Sequence, residues 1–272
     1  MVKYISDFSV KEIPGGSEYV DKTIVDYLGL EFTYTRNFIP IKGEFYIISN
    51  ISLMPQTTID FLKDNCSYVI IEHDYKIHHS RHPWRYMDSK VPKDERINYE
   101  FYNNAKAVFV QTDDHLSVFD INDVSGNFIS LDCGIWSKEE LDLLEGIVGG
   151  SKNYKYAVVD SDNWIKNTKQ ALELCETNKL DYEVIKSMDY EAFLEKLSQY
   201  STLVFLPLAR ETLCRLIVEA RCLEMNVITN NNSGAWKADW YYKTGKDLIS
   251  YLRERSSINL KNIRRVIDEN KL

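Results

Sequence analysis

The sequence predicts an α/β protein of two domains, each built on a parallel sheet. Short apolar runs alternate with amphipathic segments of helical spacing, and this rhythm pauses once, at Val148-Gly-Gly-Ser-Lys-Asn153, before restarting. Alternation of strands with helices is the pattern of parallel sheets, because parallel neighbours need a crossover connection. At 272 residues the chain is long enough for two domains of ordinary size. Adjacent glycines followed by polar residues make 148–153 the best linker, so the expected domains are 1–148 and 149–272.

The elements follow in order. A strand is expected over Lys3 to Phe8, a helix over Gly16 to Leu28, a strand over Glu44 to Ser49, a helix over Pro55 to Asp64 and a strand over Tyr68 to Glu72. Helix Ile97 to Asn104, strand Ala107 to Gln111, helix Asp113 to Phe119 and strand Phe128 to Leu131 continue the pattern, and Ser137 to Ile147 reads as helical. Beyond the linker come strand Lys155 to Asp160, helix Lys166 to Glu176, strand Tyr182 to Ile185, helix Tyr190 to Tyr200 and strand Thr202 to Leu206. A helix over Glu211 to Cys222 and a strand over Val227 to Thr229 follow. The aromatic segment at Trp236, Trp240, Tyr241 and Tyr242, with the amphipathic tail from Lys246, is expected to close the second domain and to pack helices across the hinge.

Composition narrows the function. With 44% hydrophobic and 12% aromatic residues the chain is globular, and a net charge of -8 disfavours non-specific nucleic-acid binding by the protein as a whole. No apolar run approaches the ~20 residues that span a bilayer, and the start Met-Val-Lys-Tyr-Ile-Ser-Asp lacks the apolar core of a signal peptide, so a cytoplasmic location is expected. Five cysteines at scattered positions form neither a disulfide framework nor a metal-ligand spacing.

The most informative stretch runs from Phe205 to Thr229. A strand capped by Pro207 leads through a loop into a helix that carries Glu211 and Glu219, eight positions apart. Ligands of open α/β sheets bind at this edge, and backbone N–H groups near Thr212, Leu213 and Cys214, at the positive end of the helix dipole, suit a diphosphate. Eight helical positions cover roughly 12 Å, comparable to the distance from the ribose of a nucleotide sugar to its sugar. Glu219, set within Leu216-Ile-Val-Glu-Ala, needs a partner or a solvated cleft.

With Pro207 before it, Ala220 after it and the strand Asn226-Val-Ile-Thr-Asn leading to Ser233-Gly234, the segment resembles the Glu, seven residues, Glu motif of retaining glycosyltransferases of the GT-B architecture, in particular glycosyltransferase family 4. The resemblance implies two Rossmann-like domains with parallel sheets facing a central cleft, in a compact version. It implies a retaining transferase that moves a sugar from a nucleotide diphosphate sugar to an acceptor, with no cofactor or metal required. Gly15-Gly16-Ser17-Glu18, after the first strand, resembles the family's glycine-rich loop, where backbone amides approach the donor phosphate. Glu219 is then expected to hold the ribose, Glu211 to orient the transferred sugar, and Lys166 to meet the donor phosphates. The family's arginine five residues before that lysine is replaced by Ser161, and Arg210 or Arg215 could supply the missing charge.

Four of the five histidines lie between His73 and His82, just past a strand end. His73 is the expected polar active-site residue there, beside a structural reading as a strand cap. His78 and His82 are spaced to share a helix face, but no carboxylate or cysteine set completes a metal site. Asp74, Arg81 and Arg85 are the expected acceptor-side residues. The acceptor is a saccharide or small molecule, with modified bases in DNA as the alternative; a non-catalytic nucleotide-sugar-binding module is the rival reading, for which Ser161 is the main argument.

Overall fold

The computed structural model describes residues 2–271 and divides into two compact units. One holds residues up to Trp136 and again from Arg255; the other is Ser137–Glu254. In the first unit the elements are β1 (Lys3–Ser6), α1 (Gly16–Leu28), β2 (Glu31–Tyr34), β3 (Phe45–Ile48), α2 (Gln56–Asn65), β4 (Ser67–Ile71), α3 (Tyr99–Asn104), β5 (Ala107–Val110), α4 (Asp113–Ile121) and β6 (Phe128–Ser130). In the second they are α5 (Lys138–Ile147), β7 (Asn153–Val159), α6 (Thr168–Thr177), β8 (Tyr182–Ile185), α7 (Tyr190–Ser198), β9 (Tyr200–Phe205), α8 (Arg215–Cys222), β10 (Asn226–Thr229) and α9 (Gly234–Lys237). The last helix, α10 (Gly245–Asn270), begins in the second unit and ends in the first.

Every strand pairing in both sheets is parallel. The first sheet has the order β2-β1-β3-β4-β5-β6 and the second β10-β9-β7-β8. Each order reverses once: the chain steps from β1 to β2 on one side and then to β3 on the other, and from β7 to β8 and then to β9. At such a reversal the loops leaving two neighbouring strands diverge and open a crevice at the carboxyl edge.

Strand residues alternate between two cores in the first unit, as the pleat requires. Ile5, Tyr46, Ile48, Tyr68, Ile70 and Val108 pack with Leu62 of α2, Phe101 of α3 and Phe119 of α4. Tyr4, Ile47, Val69, Ile71 and Phe109 face the other way, against Val20 and Ile24 of α1 and Leu260, Ile263, Val266 and Ile267 of α10. A parallel sheet needs both faces covered, and α10 completes the second face.

The two units differ from the expected domains in their bounds. The first unit ends at Trp136, ahead of α5, and takes in the tail from Arg255. Polar contacts fix the return: Ser256 Oγ accepts from the Trp136 amide at 3.0 Å, and Asn259 Nδ2 donates to the carbonyls of Leu131 at 2.7 Å and Gly134 at 3.2 Å. Three local readings change as well. β2 is a strand that alternation alone did not reveal, because it is a four-residue edge strand that is only half-buried. The expected helix from Glu211 starts four residues later, at Arg215, after Cys214 adopts a left-handed φ of 72°. The expected helix from Lys166 starts at Thr168, because Asn167 is left-handed and Lys166 ends a 3₁₀ turn.

Ile263 is fully buried in the first unit's core. Ile263→Ala is expected to destabilise that unit by about 2–5 kcal/mol, measured from its urea-unfolding midpoint. A loss below about 1 kcal/mol would place α10 outside the core.

Candidate functional site

In the second unit the reversal lies between β7 and β9, and the loops that leave these two strands carry Lys166 and Glu211. Phe205 ends β9, Pro207 stops the strand, and the following loop is clamped to the segment before α9. Glu211 forms a parallel bridge with Ser233, its amide donates to Asn232 O at 3.0 Å, and its carbonyl accepts from Gly234 N at 3.0 Å. Leu213 O accepts from the Ala235 amide at 2.9 Å and from Ser233 Oγ at 3.1 Å. Across the reversal, Leu208 N donates to Ile165 O at 2.8 Å, and Lys166 Nζ meets Glu211 Oε1 at 2.7 Å. The Lys166 side chain keeps 35% of its surface exposed. Burial pulls its pKa down, but the adjacent Glu211 carboxylate outweighs this and raises it above the ordinary lysine value, so the ammonium stays charged.

Thr212, Leu213 and Cys214 lead directly into α8, whose first-turn amides have no intrahelical acceptor. This end of an eight-residue helix and the Lys166 ammonium supply donors and positive charge on one edge. Burial pushes the Cys214 thiol up to about 12, with Glu211 adding to the effect, so it remains protonated.

Glu219 lies one helix turn further in, and only 5% of the residue is exposed. Its Oε1 accepts from Tyr190 Oη at 2.9 Å and lies 3.7 Å from Arg215 Nε. Arg215 turns its Nη2 to Glu140, which also forms a reciprocal capping box with Ser137 at the start of α5. Arg215, with 11% of its side chain exposed, is thus the counter-ion of two carboxylates. Burial raises the Glu219 pKa, and Arg215 and Tyr190 only partly offset it. The Ser161 hydroxyl, in the place of the expected arginine, accepts from Asn163 N at 3.2 Å.

The first unit brings a different set together. His73 lies at its sheet edge with 7% of its side chain exposed. Nε2 faces Asp21 Oδ1 at 2.8 Å and Nδ1 faces Gln111 Nε2 at 3.3 Å. With the amide of Gln111 as donor, Nε2 carries the proton and donates to Asp21. Both ring nitrogens thus face protein groups. Asp21 also accepts from Tyr4 Oη at 2.7 Å, Ser49 Oγ at 2.8 Å and Ser6 Oγ at 2.9 Å. Sequence reasoning missed Asp21, although its place on the Val20–Ile24 face of α1 marks it as a buried carboxylate.

Gly15 caps α1 and Gly16 opens it, as expected. A Cβ at Gly15 would come within 2.4 Å of Glu18 Oε2, so the small residue makes room for a carboxylate of the same helix start. Glu18 is buried, which raises its pKa. The carboxyl of Glu18 therefore lies at the helix start where the resemblance expects a phosphate.

Asp74 and Arg81 do meet, at 3.0 Å, and Arg81 also donates to Ser52 Oγ. Asp74 shares Lys76 with Glu72: the buried ammonium lies 2.6 Å from Glu72 and 3.1 Å from Asp74. Arg85 is exposed beside Trp84 and joins none of them. The segment 72–98 contains only short 3₁₀ turns, so His78 and His82 share no helix face; the His78 Nδ1 accepts from Ser80 N. Among the described residues no group of three or more His, Cys, Asp or Glu is placed to hold a metal, and no helix is long and apolar enough to cross a membrane.

No protein-family model and no curated protein matches the sequence. Solved structures do match in shape. The alpha,alpha-trehalose-phosphate synthase (UDP-forming) from Burkholderia xenovorans, in complex with glucose-6-phosphate, superposes with a TM-score of 0.55 at 9% identity, over 93% of this chain and 78% of that one. HepE from Anabaena, in complex with UDP, gives a TM-score of 0.52 at 10% identity over 98% of each chain. At such identities the likeness is one of fold, and the fold is the two-unit α/β architecture, GT-B, that the sequence predicts.

The raised Glu219 pKa yields a prediction. A carboxyl that holds its proton more tightly when folded contributes most below the ordinary glutamate value of 4.5 and loses that contribution as pH rises through the folded value. Glu219→Gln keeps an acceptor for Tyr190 and leaves Arg215 to Glu140. Its melting temperature relative to the unsubstituted protein is therefore expected to rise as pH increases from 4.5 through the folded value and to level off above it. A difference independent of pH would contradict the buried, raised carboxyl.

Proposed function

We propose that this chain is a retaining glycosyltransferase that moves a sugar from a nucleotide diphosphate sugar to a saccharide or small-molecule acceptor. The observation that carries this reading is the Lys166–Glu211 pair at the strand-order reversal of the second unit, beside the start of α8. In this reading the donor diphosphate takes the place of Glu211 as the partner of Lys166, and the amides of Leu213 and Cys214 meet its oxygens. Glu211, released from the ammonium, accepts from hydroxyls of the transferred sugar, while Glu219 serves the ribose from within its Tyr190 and Arg215 contacts. The solved HepE structure is a complex with UDP, which supports a nucleotide at this fold and makes UDP the first probe.

The reaction breaks the bond between the anomeric carbon and the diphosphate oxygen, and both electrons leave with the diphosphate. The acceptor oxygen bonds to the same face of that carbon, and its proton passes to the departing phosphate. Lys166 and the helix amides stabilise the charge that grows on the leaving group. No metal is assigned to this step. In the first unit Lys76 is held by Glu72 and Asp74 and Arg81 by Asp74, so these cations are already partnered, which weighs against DNA as acceptor. Ser161 remains the argument for a binding module without turnover.

Lys166→Ala is expected to weaken UDP binding by about 1.5–3 kcal/mol, the usual contribution of a charged hydrogen bond, and to leave uridine binding unchanged. Calorimetric titration with the two ligands separates them. Equal weakening of both would make the effect structural and remove the phosphate role.

A further inference from the structure

Glu219 commits one carboxylate oxygen and leaves the other open. Both of its contacts fall on Oε1: Tyr190 Oη donates to it at 2.9 Å, and Arg215 Nε lies at 3.7 Å, too far for a hydrogen bond. Among the described residues Oε2 receives no hydrogen bond or ion pair, and it is not one of the sealed polar atoms that lack a partner. It therefore opens to solvent from a residue that is otherwise buried. A buried carboxylate with an unfilled oxygen is costly, and a hydroxyl of a ligand would complete its set of donors.

The groups at Oε1 are held by three helices of the same unit. Tyr190 is the first residue of α7, whose start Asp189 caps by accepting from Ala192 N at 3.1 Å, and Leu194 and Leu197 bury the helix behind it. Burial, with Glu219 beside it, pushes the phenol above the ordinary tyrosine value, so it remains a donor. Arg215 is drawn off by Glu140 of α5, whose Oε1 takes Nη2 while its Oε2 accepts from Ser137 N at 2.8 Å. Without that anchor the guanidinium is free to pair with both oxygens of Glu219, the fork geometry that arginine and carboxylates favour, and so to cover Oε2. Burial drives Glu219 towards its protonated form, whereas Arg215 and the Tyr190 bond oppose this and help to keep it charged. We infer that Tyr190 and Glu140 are positioning residues that turn Glu219 Oε2 to the ribose hydroxyls of the donor, and that the site thereby selects ribonucleotides over their deoxy counterparts. The inference rests on the proposed function, which gives Glu219 the ribose, and adds the two residues that make this contact directional.

The test measures dissociation constants of UDP, GDP and ADP, each against its 2′,3′-dideoxy counterpart, for the full chain, Tyr190→Phe and Glu140→Gln. Phenylalanine keeps the ring and glutamine keeps the capping box with Ser137, so each variant removes a polar contact with little change of shape. The full chain is expected to bind its preferred ribonucleotide about tenfold more tightly than the dideoxy form, the order of one hydrogen bond to a charged group. In Tyr190→Phe this preference should fall to about twofold with the dideoxy affinity unchanged, and Glu140→Gln should lower it as well. In a Glu219→Gln background neither substitution should change the preference further. If Tyr190→Phe does not fold, Glu140→Gln carries the test. A preference that survives in a folded variant, or ribo and dideoxy ligands that weaken alike, overturns the positioning role while the proposed function stands. A full chain that binds both forms equally overturns the ribose contact of Glu219 and the inference with it, and leaves the phosphate role of Lys166 standing. A full chain that binds none of the six ligands overturns the proposed function too.

Discussion

The Lys166–Glu211 ion pair exists because β7 and β9 are neighbours in the sheet while the chain leaves them in opposite directions. Two loops from distant parts of the sequence are thereby brought to one edge, and their charges meet. Everything else at this edge serves that meeting. The Glu211–Ser233 bridge and the bonds from Gly234 and Ala235 hold the second loop, and the capped turn before Asn167 holds the first. A partly exposed pair in this setting contributes modestly to stability, since solvent screens it and two side chains must be ordered. In the function proposed above, the donor diphosphate takes the ammonium and frees the carboxylate.

The first unit has the same reversal of strand order and fills it differently. Asp7 accepts from Thr35 and from the Leu53 amide, Asp21 from two serines, a tyrosine and His73, and Glu72 from Lys76 and Tyr102. These carboxylates are buried and fully engaged, as buried charges must be. His115 belongs with them: burial pushes its pKa down to about 3, and its neutral ring accepts from Gln111 N and donates to Asp74 O. The outcome is a rigid polar layer under the 72–98 segment. One sheet edge thus uses its polar residues for internal order, and the other leaves an ammonium within reach of solvent.

The rhythm of strands and helices was legible in the sequence because a parallel sheet covered on both faces demands it. Gly16–Leu28 and Tyr182–Ile185 are read correctly to the residue. The pairing of Lys166 with Glu211 was not legible, since it arises from strand order, although both residues were singled out. The start of α8 was misread because periodicity extends from Leu213 while Cys214 takes a left-handed backbone that no apolar pattern encodes. The pairing of His73 with Asp21 was not legible either, because Asp21 lies in a helix far away in sequence. The return of α10 was hidden for a similar reason: Ile263 and Ile267 are spaced for a core, but spacing does not say which core.

A double-mutant cycle on UDP affinity tests the central claim most directly, using Glu211→Gln, Lys166→Ala and their combination. If the diphosphate competes with Glu211 for Lys166, Glu211→Gln tightens UDP binding while Lys166 is present and has no effect in the Lys166→Ala background. The expected coupling is about 1 kcal/mol or more, within the range of residues in direct contact. The same tightening without Lys166, or none with it, would contradict the exchange and with it the assignment of this edge as the donor site.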